Sequence, residues 1–152
     1  MVNLDWCYKQ SKGIKFIEPN ENLSNQYLKN AEETLLDLKD NKESNLWKAT
    51  KKYYFEYFLI YSLLMKLGIK CEIHDCTIVL IKKFEEMDLL TKDTHKILKK
   101  DKEIRIDNQY YLKDKEVKIN YAKLFEFFLE MKSIIRSLNV NKIKEIRRQL
   151  KK

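Results

Sequence analysis

The run Tyr53 to Met65 is apolar or aromatic at every position except Glu56 and Ser62. Lys51 and Lys52 precede it, Lys66 follows it, and Gly68 stops it. A helix apolar on all sides must be buried. This one is shorter than the ~20 apolar residues a bilayer span needs, so it predicts the central helix of a helical domain. The flanking pattern supplies the helices that pack around it. The first predicted helix covers about Glu21 to Lys39, with Tyr27, Leu28, Ala31, Leu35 and Leu38 at helical spacing and Pro19-Asn20 as its start signal. Asp40-Asn41-Lys42 makes a turn, and the central helix follows from Ser44 to Leu67. A third helix is predicted from Ile73 to Met87, a fourth from Lys92 to Tyr110 and a fifth from Lys115 to Leu138. On the fifth, Val117, Tyr121, Leu124, Phe128, Met131, Ile135 and Leu138 alternate steps of four and three, a repeat suited to packing along another long helix. Phe125 and Phe127 broaden that face enough for a subunit contact. Residues 1–20 show no clear period and read as an extended arm packed through Trp6, Cys7, Ile14, Phe16 and Ile17.

Composition agrees with this pattern. Two glycines and one proline in 152 residues leave few turn signals for a β-rich domain. The expected fold class is all-α: one domain over residues 1–152, a compact up-and-down bundle of four to five helices without a sheet. The formal charge of +8, from 31 basic and 23 acidic side chains, favours an anionic partner such as nucleic acid or an acidic protein surface. A lysine-rich surface also serves solubility or heat adaptation. The basic end carries Lys142, Lys144, Arg147, Arg148, Lys151 and Lys152 against Glu145 alone. It reads either as an RNA-phosphate contact or as a solvated, frayed helix. The first residues lack the apolar core of a secretory signal, so the expected location is cytoplasmic, without membrane association.

Three cysteines, an odd number, argue against a disulfide framework. Cys71, His74 and Cys76 form C-x-x-H-x-C, to which Cys7 could add a fourth zinc ligand. No second ligand pair follows, and buried structural cysteines account for the same residues. Neither a metal nor another cofactor is expected.

No hydrolase constellation is visible, since His74 and His95 are far apart and no serine or cysteine sits in a nucleophile motif. The candidate binding cluster is Arg105-Ile106-Asp107-Asn108-Gln109-Tyr110-Tyr111. Arg105, Asn108 and Gln109 share one helix face. The guanidinium can grip a phosphate with two donors, and the amides and the Tyr110 phenol can add more. A helix-end cap or a salt bridge to Glu103 or Asp107 explains the same letters.

The segment Ala49 to Phe84 resembles the HEPN domain, the higher-eukaryote and prokaryote nucleotide-binding helical domain. The residues that carry the resemblance are Tyr53-Tyr54, Leu63-Leu64, Gly68-Ile69 and His74. Trp6-Cys7, Gly13-Ile14-Lys15, Glu18-Pro19-Asn20-Glu21, Tyr27-Leu28 and Ala31-Glu32 are similar to a small archaeal branch of that family. The resemblance implies a four- or five-helix bundle, usually dimeric, and often paired with a minimal nucleotidyltransferase in a toxin–antitoxin-like system. Active members are metal-independent ribonucleases with an Arg, four to six intervening residues and then a His. Arg105 fits the Arg. Tyr110, Tyr111 and Leu112 stand where the His belongs, and Tyr110 instead matches an Arg…Asp-Tyr variant with Gln109 in the Asp place. RNA cleavage by proton transfer favours a group that titrates near neutrality, as His does and Tyr does not. The expectation is therefore a non-catalytic or weakly active homodimeric module that binds a nucleotidyltransferase partner, RNA or a nucleotide. The alternative is an endoribonuclease toxin using Arg105 and Tyr110.

Overall fold

The helix α3, Asn45–Leu67, runs through the centre of the molecule in a computed structural model that describes residues 2–40 and 42–151. Asn41 of the predicted turn and Lys152 of the basic end lie outside the described residues. Ser44 caps α3 by accepting from the Trp47 N–H. Gly68 ends it in the left-handed region, with φ 75°. No other residue suits that position: a Cβ there would also lie 2.4 Å from both the Ile17 carbonyl oxygen and the Arg147 guanidinium. Most of Tyr53–Met65 is buried, as an apolar surface without a polar stripe requires. Of its two polar interruptions, Ser62 is satisfied inside the helix pair and Glu56 only in part. The Ser62 hydroxyl donates to the Ser24 carbonyl, and the Ser24 hydroxyl donates to that of Ser62. Glu56 enters a charged network described below.

Around α3 stand α1 (Leu4–Lys9), α2 (Glu21–Asp37), α4 (His74–Glu86), α5 (Thr94–Gln109), α6 (Tyr121–Ser137) and α7 (Val140–Leu150). Side chains of Asn3, Asn20, Asn120 and Asn139 cap the first turns of α1, α2, α6 and α7. The helical class is as predicted. Among the described residues no helix is long and apolar enough to cross a membrane.

Among the described residues there are seven helices rather than four or five, and Leu4–Lys9 is one of them, where the sequence reads as an extended arm. Four further expectations need correction. The chain does contain a sheet, although a minimal one: β1 (Ile14–Phe16) pairs antiparallel with β2 (Ile69–Cys71), with Lys15 opposite Lys70. Both strands alternate apolar, Lys, apolar, and the reversal at Gly68 brings the second alongside the first. Secondly, Cys7 and Cys76 form a disulfide that ties α1 to α4, leaving Cys71 as the free, buried thiol. The odd count is one bonded pair plus one packed cysteine, and the bonded thiols are not zinc ligands.

Thirdly, the fifth predicted helix starts late. Asn108 takes the Lys115 N–H and donates to the Lys115 carbonyl, while Asn45 accepts from the Val117 N–H. These side chains pin residues 112–120 as an irregular segment, with left-handed residues at Leu112 and Asp114. Val117 is buried, but from this irregular segment rather than from the helix. Finally, the basic end is a docked helix. Three carbonyl oxygens, those of Ile17, Leu67 and Gly68, lie 2.7–2.9 Å from Arg147 Nη1. Arg147 thus satisfies carbonyls that the end of α3 leaves unpaired and neutralises its negative pole. The Tyr8 hydroxyl donates to the Leu150 carbonyl and holds the far end of α7. Lys142, Lys144, Arg148 and Lys151 remain exposed.

Candidate functional site

Helix α5 buries Thr94, Leu98, Asp101, Arg105 and Asn108, spaced by four and three residues. That is the spacing of a packing stripe, yet beyond Leu98 it is polar or charged. The stripe lies antiparallel against α3, so Asp101 reaches the level of Lys52 and Glu56, and Arg105 the level of Tyr53 and Tyr54.

The Arg105 guanidinium lies 4.8 Å from the centre of the Tyr53 ring and 5.6 Å from that of Tyr54, within the range of cation–π attraction. Its Nη1 donates to Gln109 Oε1 at 3.1 Å. Its Nε is buried without a hydrogen-bond partner. Arg105 is only 8% exposed, and among the described residues no carboxylate lies within 4.0 Å of it. Neither acid that the sequence offered as a neutralising partner, Glu103 or Asp107, pairs with it, and Asp107 pairs instead with Lys115 and Lys113. Lys115, followed by Lys113, holds the Asp107 carboxyl below its ordinary range. A buried guanidinium without a counter-anion is costly unless an external anion completes it.

The other predicted site residues divide. Gln109 is joined to Arg105, as the shared helix face predicts. Asn108 sits one turn from Arg105, but both ends of its amide are committed to the Lys115 backbone. Tyr110 caps α5 with 66% of its surface exposed, beside the equally exposed Tyr111 and the still more exposed Leu112. Among the described residues it makes no side-chain hydrogen bond.

Residues that sequence reasoning left unassigned complete the cluster. His74, at the first turn of α4, shares a 2.8 Å hydrogen bond between Nδ1 and the Tyr53 hydroxyl. Its ring stacks on Tyr57, with centroids 5.0 Å apart. Tyr57 in turn contacts Tyr61, whose hydroxyl donates to the Cys71 carbonyl. Burial, followed by the positive Lys102 and Arg105, holds the His74 imidazole below its ordinary value, so it is neutral at physiological pH. Burial pushes the Tyr53 hydroxyl up, against the pull of Arg105, and it too stays protonated. The signal for this ladder was the i, i+4, i+8 spacing of Tyr53, Tyr57 and Tyr61, which reads first as core. The other histidine takes no part: His95 Nδ1 lies 2.5 Å from Glu85 Oε2 at the opposite end of α5.

The cluster therefore offers a fixed cation with spare donors, an aromatic face at the surface in Tyr54, and a neutral imidazole one hydrogen bond away. Such a set can hold a phosphate or carboxylate and stack a planar group. No family model matches the chain, and no curated protein and no solved structure matches it either.

Proposed function

We propose that this chain is a HEPN-like helical module that binds a phosphate-bearing ligand, RNA or a nucleotide, at Arg105. The observation that carries this reading is the buried guanidinium without a carboxylate partner. Gln109 fixes its orientation, Tyr53 and Tyr54 support its faces, and exposed Tyr110 lies on the adjoining edge. The reading is of binding rather than turnover, with a minimal nucleotidyltransferase as the protein partner that the resemblance implies. Titration of labelled single-stranded RNA against wild type, Arg105→Lys and Arg105→Ala tests it. Both variants should bind at least about tenfold more weakly, because a point charge cannot replace the planar fork. Equal affinity in all three proteins sinks the proposal.

One observation favours a second reading, metal-independent RNA cleavage. Neutral His74, coupled to Arg105 through Tyr53, could act as the proton acceptor that the Arg105–Tyr110 segment lacks. RNA cleavage by wild type that His74→Gln abolishes, with Tyr110→Phe still active, would select this reading.

The proposed assembly is a homodimer through α6, whose Phe125 and Leu129 stand 42% and 47% exposed one turn apart. Light scattering should give about twice 18.5 kDa, and Phe125→Asp should return the monomer.

A further inference from the structure

A separate cavity of about 320 Å³ opens between α3, α5, α6 and the 112–120 segment. Its walls are apolar, formed chiefly by Ile60, Leu98, Leu124 and Phe127. Glu56 lines it as well, from the middle of α3, and is only 3% exposed. Glu56 Oε2 is 3.7 Å from Lys52 Nζ, which binds Asp101 Oδ2 more closely, at 2.7 Å. The remaining oxygen, Glu56 Oε1, is buried without a hydrogen-bond partner.

Two carboxyl groups thus share one ammonium. Burial, then a hydrogen bond to Asp101 and the charge on that group, hold Glu56 well above the ordinary 4.5 and favour its protonated form, with the proton toward Asp101. Lys52 and Asp101 then cancel, and the floor of the cavity is neutral, with one acceptor oxygen unused. The rim differs: Lys100, Lys118 and Lys123 line the cavity from exposed positions, with no acid among the lining residues at that level.

The pocket therefore presents three demands in order of depth: one hydrogen-bond donor at the floor, an apolar body along the walls, and negative charge at the mouth. Its volume is at the lower end of small-molecule sites. We propose that it binds an organic anion, a carboxylate or sulfonate on an apolar body, that carries a single N–H or O–H for Glu56 Oε1. This site is independent of whatever Arg105 binds.

Anilinonaphthalene sulfonate supplies all three elements and serves as the probe. Naphthalene sulfonate lacks the donor and N-phenylnaphthylamine lacks the anion. Calorimetric titration of the full chain should give one site for the first compound and affinities about tenfold lower for each of the others. Lys118→Glu combined with Lys123→Glu, both at the surface, should weaken the sulfonates by a similar factor and leave N-phenylnaphthylamine unchanged. Glu56→Leu should erase the preference for anilinonaphthalene sulfonate over naphthalene sulfonate. The proposal fails if the probe does not bind, if it binds at several equivalent sites, or if the charge-reversed double variant binds it as well as wild type. Because the double variant alters only exposed side chains, it decides the matter even if Glu56→Leu does not fold.

Discussion

Helices α5 and α6 both pack on α3, and both bury a stripe with steps of four and three. On α6 the buried positions are Leu124, Phe128, Met131 and Ile135. On α5 they are Leu98, Asp101, Arg105 and Asn108, with Thr94 at the start. The α6 stripe contributes through apolar area and close packing, which depend on shape and not on protonation. The α5 stripe carries ionic and amide groups at the same depth, and each must find a partner to offset its lost hydration. Asp101 and Asn108 do so inside the molecule, while Glu56 Oε1 and Arg105 Nε do not. Equal burial thus has opposite meanings: α6 contributes apolar packing, and the α5–α3 contact keeps polar atoms without internal partners.

The largest effect should come from breaking the α6 side. Phe128→Ala should cost about 3–5 kcal/mol in a denaturant titration, through lost transfer energy and the cavity left behind. A change near zero would show that α6 does not anchor the bundle. Next, Asn108→Ala removes both hydrogen bonds of the clamp on Lys115. It should cost about 1–3 kcal/mol, with faster proteolysis within residues 110–120 as a second readout. Unchanged stability would mean that the irregular segment holds itself.

The pH dependence sharpens the contrast, because the buried stripe of α6 carries no titratable group. Glu56 has a folded-state value above its unfolded 4.5. Its proton is held more tightly in the folded protein, so its favourable contribution is full below about pH 4.5 and is lost as pH rises toward the folded value. Glu56→Gln should therefore flatten the decline of stability from acidic to neutral pH. His74 runs the other way, lowered from 6.5. Its contribution is full above about pH 6.5 and is lost as pH falls toward the folded value. His74→Gln should remove that loss. Phe128→Ala should shift both limbs equally, and any change of slope in that variant would blur the distinction between the two helices.

The smallest stability effect belongs to Arg105. Arg105→Met keeps the length and packing of the side chain and removes an unpaired buried charge. Its stability should lie within about 1 kcal/mol of wild type, or above it, while RNA binding is lost. A loss of several kcal/mol would make Arg105 a structural residue and count against its role as a ligand site.

Helix positions were legible because hydrophobic spacing is a local property of the chain. The apolar run Tyr53–Met65 had no arrangement in water except burial, and Ser44 and Gly68 marked its ends through their own backbone chemistry. The α6 stripe was readable for the same reason, although its first turn was not: Val117 continues the repeat in sequence, but distant Asn45 and Asn108 hold it outside the helix. The β1–β2 pairing, the Cys7–Cys76 bond and the inward turn of Arg147 join residues far apart along the chain, and no local pattern encodes such a meeting. The site divides in the same way. Helical spacing alone put Arg105 beside Gln109. Only packing could bring Tyr53, with His74 bonded to it, to that guanidinium, direct Asp107 to Lys113 and Lys115 instead, and leave Arg105 Nε and Glu56 Oε1 buried without hydrogen-bond partners. Spacing dictates which face a residue shares, whereas the partner across that face depends on the helix that the rest of the fold delivers there.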